Sequence, residues 1–88
     1  MESVHVEGRV HQRHPELSDS DVEHAWSFYL CAATRVPGER EMRLGYDRRG
    51  RLFEMVGVLC VDGWHVYHAM TPPSKKTFKE VSAAMRRL

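Results

Sequence analysis

His68 is the residue of this chain best suited to moving a proton near neutral pH, because imidazole titrates there. Tyr67 beside it and Glu54 upstream are alternative proton carriers. Arg51, Arg43, Lys75 and Lys76 are cations at places where a phosphate would be held. Guanidinium forks match phosphate oxygens, and two ammonium groups beside the free N–H groups of a helix start attract an anion. His14 is a second imidazole. Taken one by one, these types could carry protons or hold a phosphate. Each also has a plainer reading. His68 reads equally as a satisfied core histidine, the lysines as solvated surface, and Arg43 with Glu54 as a cross-strand ion pair. His11 with His14 and His65 with His68 have tempting metal spacing. Residues three apart on a strand point to opposite faces, however, and the first pair has no evident third ligand, so no metal is expected. No Ser-His-Asp set, phosphate loop or dinucleotide fingerprint occurs, and no cofactor is expected.

These side chains are positioned by a meander. Gly45-Tyr46-Asp47-Arg48-Arg49-Gly50-Arg51 reads as a turn, Leu52 to Val61 as a nearly continuous apolar strand, Asp62-Gly63 as a second turn, and Trp64 to Met70 as the returning strand. A two-residue turn at Asp62-Gly63 pairs Val61 with Trp64, Leu59 with Val66, Gly57 with His68 and Met55 with Met70. The first turn pairs Tyr46 with Arg51, Leu44 with Phe53 and Met42 with Met55. One face then carries Met42, Leu44, Phe53, Met55, Leu59, Val61, Trp64, Val66 and Met70, with His68 among them, and seats the helices. The other carries Arg43, Glu54, Val56, Val58, Cys60, His65, Tyr67 and Ala69. This register places His68 and Arg51 on one side of the sheet; a slip of one residue would exchange every assignment.

The helices have legible starts. Ser18 and Asp21 form a capping box, Leu17 and Val22 a hydrophobic staple, and Val22, Ala25, Trp26 and Tyr29 an apolar stripe running to about Leu30. Trp26, Phe28 and Tyr29 read as core rather than as a base-stacking platform. Ser74 caps a last helix with Phe78, Val81, Met85 and Leu88 on its apolar side and Arg86 and Arg87 at its negative end. Val4, Val6 and Val10 mark a weak first strand, residues 11–17 a helical turn or loop, Cys31 to Val36 an extended stretch, and Pro37-Gly38 a break.

The chain has 88 residues, 42% of them hydrophobic and 28% charged, with net charge +1. That is one domain with a modest core. A strong nucleic-acid binder carries a clear basic excess, so phosphate contacts here must come from local clustering. Two isolated cysteines, no signal-peptide pattern and no membrane-length apolar run lead to a cytoplasmic expectation.

The order of motifs resembles the BrnT-like toxins of the RelE superfamily. Arg13-His14-Pro15-Glu16-Leu17-Ser18-Asp19-Ser20-Asp21-Val22 looks like that family's approach to its first main helix. Gly45 through Leu52 resembles its central Gly-x-Asp-x-x-Gly-Arg hairpin, and Val66-Tyr67-His68-Ala69-Met70 its segment before the last helix. The resemblance implies a RelE-like fold and a type II toxin that cleaves RNA without a metal and is silenced by a protein antitoxin. Its functional positions fall on Arg51 and His68, with His14 at a motif position. Pro15 stands where relatives carry glycine, and Met70 where many carry arginine. Lys75 or Lys76 would then have to supply the missing charge.

The expectation is a single α+β domain over residues 1–88, with an antiparallel sheet of about four strands and two main helices. Its expected function is that of a metal-independent endoribonuclease acting through the ribose 2′-hydroxyl. RNA and an antitoxin are its expected partners, with no membrane and with room for a homodimer. The alternative is a non-enzymatic module binding protein or RNA on the same scaffold.

Overall fold

The chain folds as an α+β domain, described here from a computed structural model over residues 3–36 and 39–86, with the side chains at 35, 36 and 84–86 outside the description. Among the described residues five strands form one mixed sheet in the order β1-β5-β4-β3-β2. They are β1 (Val4–Val6), β2 (Cys31–Val36), β3 (Arg40–Tyr46), β4 (Leu52–Cys60) and β5 (Gly63–Met70). Strands β2 to β5 form an antiparallel meander, whereas β1 lies parallel to β5 along its outer edge. The helices are α1 (Gly8–Arg13), α2 (Asp19–Ser27) and α3 (Lys75–Arg86). The sheet therefore has one strand more than expected, is mixed, and carries a third, short helix.

Each face of the sheet holds a core. Trp26, Ala25 and Val22 of α2 meet Phe53, Met55, Trp64, Val66 and Ala69, together with Val10 of α1 and Leu17. On the opposite face Val81 of α3 meets Met42 and Leu44. Helix α2 presses so closely on its face that two glycines are required. A Cβ at Gly45 would collide with the Ala25 carbonyl oxygen, and one at Gly57 would lie 2.6 Å from the Trp26 ring.

The capping box forms as read. Asp21 N–H donates to Ser18 Oγ at 3.1 Å and Ser18 N–H to Asp21 Oδ2 at 3.4 Å. Leu17 and Val22 are both fully buried. The helix nevertheless ends at Ser27, and Phe28, Tyr29 and Leu30 stand exposed, so of the three aromatics read as core only Trp26 is buried. Ser74 caps α3, its Oγ accepting from Thr77 N–H at 3.2 Å. Val81 is buried and Phe78 is exposed. The Pro37-Gly38 break, the Met85 and Arg86 side chains, Arg87 and Leu88 lie outside the described residues.

The strand register departs from expectation at both turns. At the first, Tyr46 pairs with Leu52, Leu44 with Glu54 and Met42 with Val56. Asp47 is the cause: its Oδ1 accepts from both Arg49 N–H (3.0 Å) and Arg51 N–H (2.8 Å), which draws Arg51 into the turn and lengthens it by one residue. Met42 and Leu44 thus oppose Phe53 and Met55 across the sheet rather than sharing their face. At the second, Cys60 pairs with Gly63, so Val61 and Asp62 make the turn and Val61 is fully exposed. Gly63 follows it with φ +117°, the place a type I turn gives to glycine. A bulge then intervenes. Gly57 pairs with Val66 but Val56 pairs with His68, which leaves Tyr67 as the extra residue of β5. The bulge turns His68 away from the Trp26 face and onto the face that carries Glu54.

Candidate functional site

A cleft of about 340 Å³ opens between α1 and the surface of β3, β4 and β5. Its floor comes from the sheet: Glu54 and Val56 of β4, with Tyr67, His68 and Ala69 of β5. Its rim is basic, with Arg9 and Arg13 of α1 on one side and Arg40 at the start of β3 on the other, and His14 follows α1 into the lining. Three arginines against one carboxylate leave an excess of two positive charges here, on a chain whose net charge is only +1. The neutral balance of the whole chain conceals a local positive site.

At the centre of the floor, Glu54 Oε2 lies 2.7 Å from His68 Nε2. Glu54 is 6% exposed, while the His68 side chain keeps 31% of its surface open. The other carboxylate oxygen, Oε1, accepts from Ser74 N–H at 2.7 Å, which ties the site to the start of α3. Burial pushes the Glu54 carboxyl upward. The Ser74 N–H, the His68 ring, the Thr77 hydroxyl and the Ser74 hydroxyl together outweigh it and hold the group below its ordinary 4.5. Nδ1 of His68 has no hydrogen-bond partner among the described residues. A buried carboxylate that fixes one nitrogen of an imidazole lining a cleft is the arrangement used to orient a general base.

Tyr67, pushed out by the bulge, supports the rim. The guanidinium carbon of Arg9 lies 4.9 Å from its ring centroid and that of Arg40 lies 5.9 Å away. Two arginines from distant segments are thereby gathered about one aromatic ring. His14 is partly exposed and lies 3.4 Å from Glu16.

Of the residues read from sequence, the structure brings His68, Glu54, Tyr67 and His14 together. It separates the others from them. Arg51 lies on the α2 side, with Nε 2.8 Å from Asp47 Oδ2 and Nη2 3.1 Å from Asp21 Oδ2. Its guanidinium also stands over Phe53. The expected pairing of Arg51 with His68 on one side of the sheet is overturned, because Asp47 captures the arginine in the turn. Burial raises the Asp47 carboxyl, but the Arg51 and Arg49 N–H groups and the Arg51 guanidinium bring it below 3.8. Asp21 is lowered likewise, with Ser18 and both arginines acting against its burial. The Gly-x-Asp-x-x-Gly-Arg segment is thus a clamp between the hairpin and the capping box of α2.

Arg43 is also engaged elsewhere. It pairs with Glu41 at 2.6 Å, donates to the Trp26 carbonyl at 3.2 Å, and lies 4.1 and 4.2 Å from the Trp26 and Tyr29 rings. It faces α2, opposite to Glu54, so the cross-strand pair expected between them does not form. Lys75 and Lys76 are exposed in the first turn of α3 and do not line the cleft.

Sequence reading missed Arg9, Arg13 and Arg40 as site residues. Arg9 sits in what reads as a fading strand, Arg13 in a stretch that reads as a helical turn or loop, and Arg40 close after Pro37-Gly38. Nothing in their spacing announces that α1 and the start of β3 flank the same stretch of β5.

The chain matches no protein-family model, no curated protein and no solved structure.

Proposed function

We propose that this chain is an RNA-cleaving enzyme acting through the ribose 2′-hydroxyl, and that it serves as the toxin of a type II toxin–antitoxin pair on a RelE-like scaffold. The observation that supports this is the Glu54–His68 pair on the floor of a cleft ringed by Arg9, Arg13 and Arg40. The toxin assignment rests on the motif order described above.

In this reading the His68 Nδ1 takes the proton of the 2′-hydroxyl while Glu54 holds Nε2–H and balances the imidazolium that forms. The oxygen attacks the adjacent phosphorus, and the arginines stabilise the extra charge of the phosphorane-like transition state. They fill the role for which Met70 offers no arginine. Tyr67 or His14 gives the proton to the departing 5′-oxygen, leaving a 2′,3′-cyclic phosphate. The protein partner is an antitoxin that covers this cleft.

Purified protein incubated with RNA in the presence of a chelator is expected to give fragments ending in cyclic phosphate. His68→Ala should lower the rate by about 10²–10⁴. Cutting at an unchanged rate by His68→Ala would remove the assignment. Growth arrest on expression, relieved by the product of a neighbouring reading frame, tests the toxin role separately.

A second reading is a binding module without chemistry. The observation favouring it is the set of exposed apolar residues Leu30, Tyr46 and Phe78 around a shallow groove floored by Leu44 and Leu52, on the α3 side of the sheet. Absence of RNA cleavage and of growth arrest, with binding to a protein partner that is lost in Phe78→Glu, would decide for it.

A further inference from the structure

We propose that His5, Asp62 and His65 form a binding site for a first-row divalent cation of the zinc class. The site lies at the outer edge of the sheet, is independent of the cleft, and does not rest on the ribonuclease reading. It is built by topology. Parallel pairing of β1 with β5 sets His5 directly beside His65 on one face, with ring centroids 4.6 Å apart. The Val61-Asp62 turn then carries a carboxylate back over both rings.

The donor atoms converge. One ligand atom from each of the three residues lies within 4.8 Å of the other two. His65 Nε2 is 2.8 Å from Asp62 Oδ1, and His5 Nε2 is 3.5 Å from Asp62 Oδ2. With bonds of about 2.0–2.1 Å, the donors of a tetrahedral zinc site stand roughly 3.3 Å apart. The two contacts, to different oxygens of the one carboxylate, lie on either side of that spacing; a set with one donor atom per residue spans up to 4.8 Å, so the side chains draw in on binding. His5 Nε2 also lies 3.1 Å from the Asp62 carbonyl oxygen, a contact that a small ring rotation gives up. His5 is exposed and has room to rotate. Two imidazoles and one carboxylate are a borderline donor set, suited to Zn²⁺, Co²⁺ or Ni²⁺ rather than to Mg²⁺ or Ca²⁺. Three protein ligands leave a fourth position to water.

An independent feature supports the assignment. Glu7 Oε1 lies 3.1 Å from His65 Nδ1, the nitrogen remote from the cluster. A carboxylate on the outer nitrogen is how proteins fix the orientation and raise the donor strength of a metal-binding histidine. Glu7 is also the residue preceding α1, and its N–H donates to the Val66 carbonyl at 2.9 Å, so it is held in place by the sheet.

The test is calorimetric titration of the full chain with ZnCl₂, alongside histidine NMR. One equivalent should bind saturably, and the ring signals of His5 and His65 should shift while those of His24 do not. Asp62→Asn and His5→Ala should each weaken binding at least tenfold, and Glu7→Gln by about 10- to 100-fold. His24→Ala should leave it unchanged. Circular dichroism of each variant without zinc shows whether it is folded, and the wild-type NMR titration locates the ion without any substitution. Absence of saturable binding up to about 0.1 mM zinc near neutral pH overturns the proposal. So does binding that survives intact in a folded His5→Ala, His65→Ala double variant, or that shifts only the other histidines.

Discussion

Replacing Glu54 by glutamine should lower stability at neutral pH by about 2–3 kcal/mol, and most of that loss should vanish in acid. The carboxylate accepts from Ser74 N–H on one oxygen and meets His68 on the other, each at 2.7 Å. Glutamine keeps one acceptor oxygen, so one of the two contacts faces an amide NH₂ instead. Hydrogen bonds to a charged group are worth about 1.5–3 kcal/mol each, and the group is buried, so little water replaces them. With a urea slope of about 1 kcal/mol/M for a small domain, the midpoint should fall by roughly 2–3 M. The folded-state carboxyl is held below its ordinary 4.5. Its contribution is therefore complete above the unfolded-state value and disappears as pH falls through the lowered folded-state value. Urea unfolding followed by circular dichroism at pH 7, and at intervals below about pH 4.5, checks this. The wild type should converge on the variant as the pH falls. An unchanged midpoint at pH 7 would refute the reasoning, and so would a loss of equal size at every pH, because the ionised carboxylate would then not be the group that binds. RNA cleavage by the folded variant should drop about 10²-fold, since His68 would lose the acceptor that orients it.

Substituting Arg9, Arg13 and Arg40 together by alanine should abolish tight RNA binding and flatten the salt dependence, with the log–log slope changing by about 2 for three lost contacts to a single strand; filter binding across a salt series measures it. Arg51→Ala should do the opposite, lowering unfolding free energy by about 2 kcal/mol through loss of the Asp47 and Asp21 contacts while leaving the cleavage rate of folded protein within about threefold. Gly57→Ala should destabilise by about 1–3 kcal/mol, because the added methyl meets the Trp26 ring and α2 must shift; the readout is a lower urea midpoint with an unchanged slope.

Much of the scaffold was readable without coordinates. Ser18 with Asp21 and Ser74 before Lys75 mark helix starts through local hydrogen bonding, which depends only on near neighbours. The run from Leu52 to Val61 marks a strand covered on both faces; the strand forms over Leu52–Cys60, between the cores around Trp26 and Val81. That same property made its register illegible. A strand apolar on both faces pairs almost equally well after a slip of one residue, and the side chain of Asp47, not the hydrophobic pattern, decided between the alternatives. Val4 and Val6 mark the weak β1, but nothing in the sequence marks its parallel pairing with β5, because that depends on a crossover that spans α1, α2 and the rest of the meander.

Side-chain chemistry singles out His68, Glu54, Tyr67 and His14, and they do meet in one cleft. It singles out Arg51 and Arg43 equally, and they do not join the cleft, since each is held by carboxylates and aromatic rings on the opposite face. Residue type and near-neighbour spacing are properties of the chain, and they settled the helix caps, the meander and the candidates for proton transfer. Which cations surround His68 was decided only in three dimensions. A one-residue bulge at Tyr67 and the placement of α1 beside β5 are outcomes of packing between segments far apart in the chain, and no local pattern encodes a contact between them.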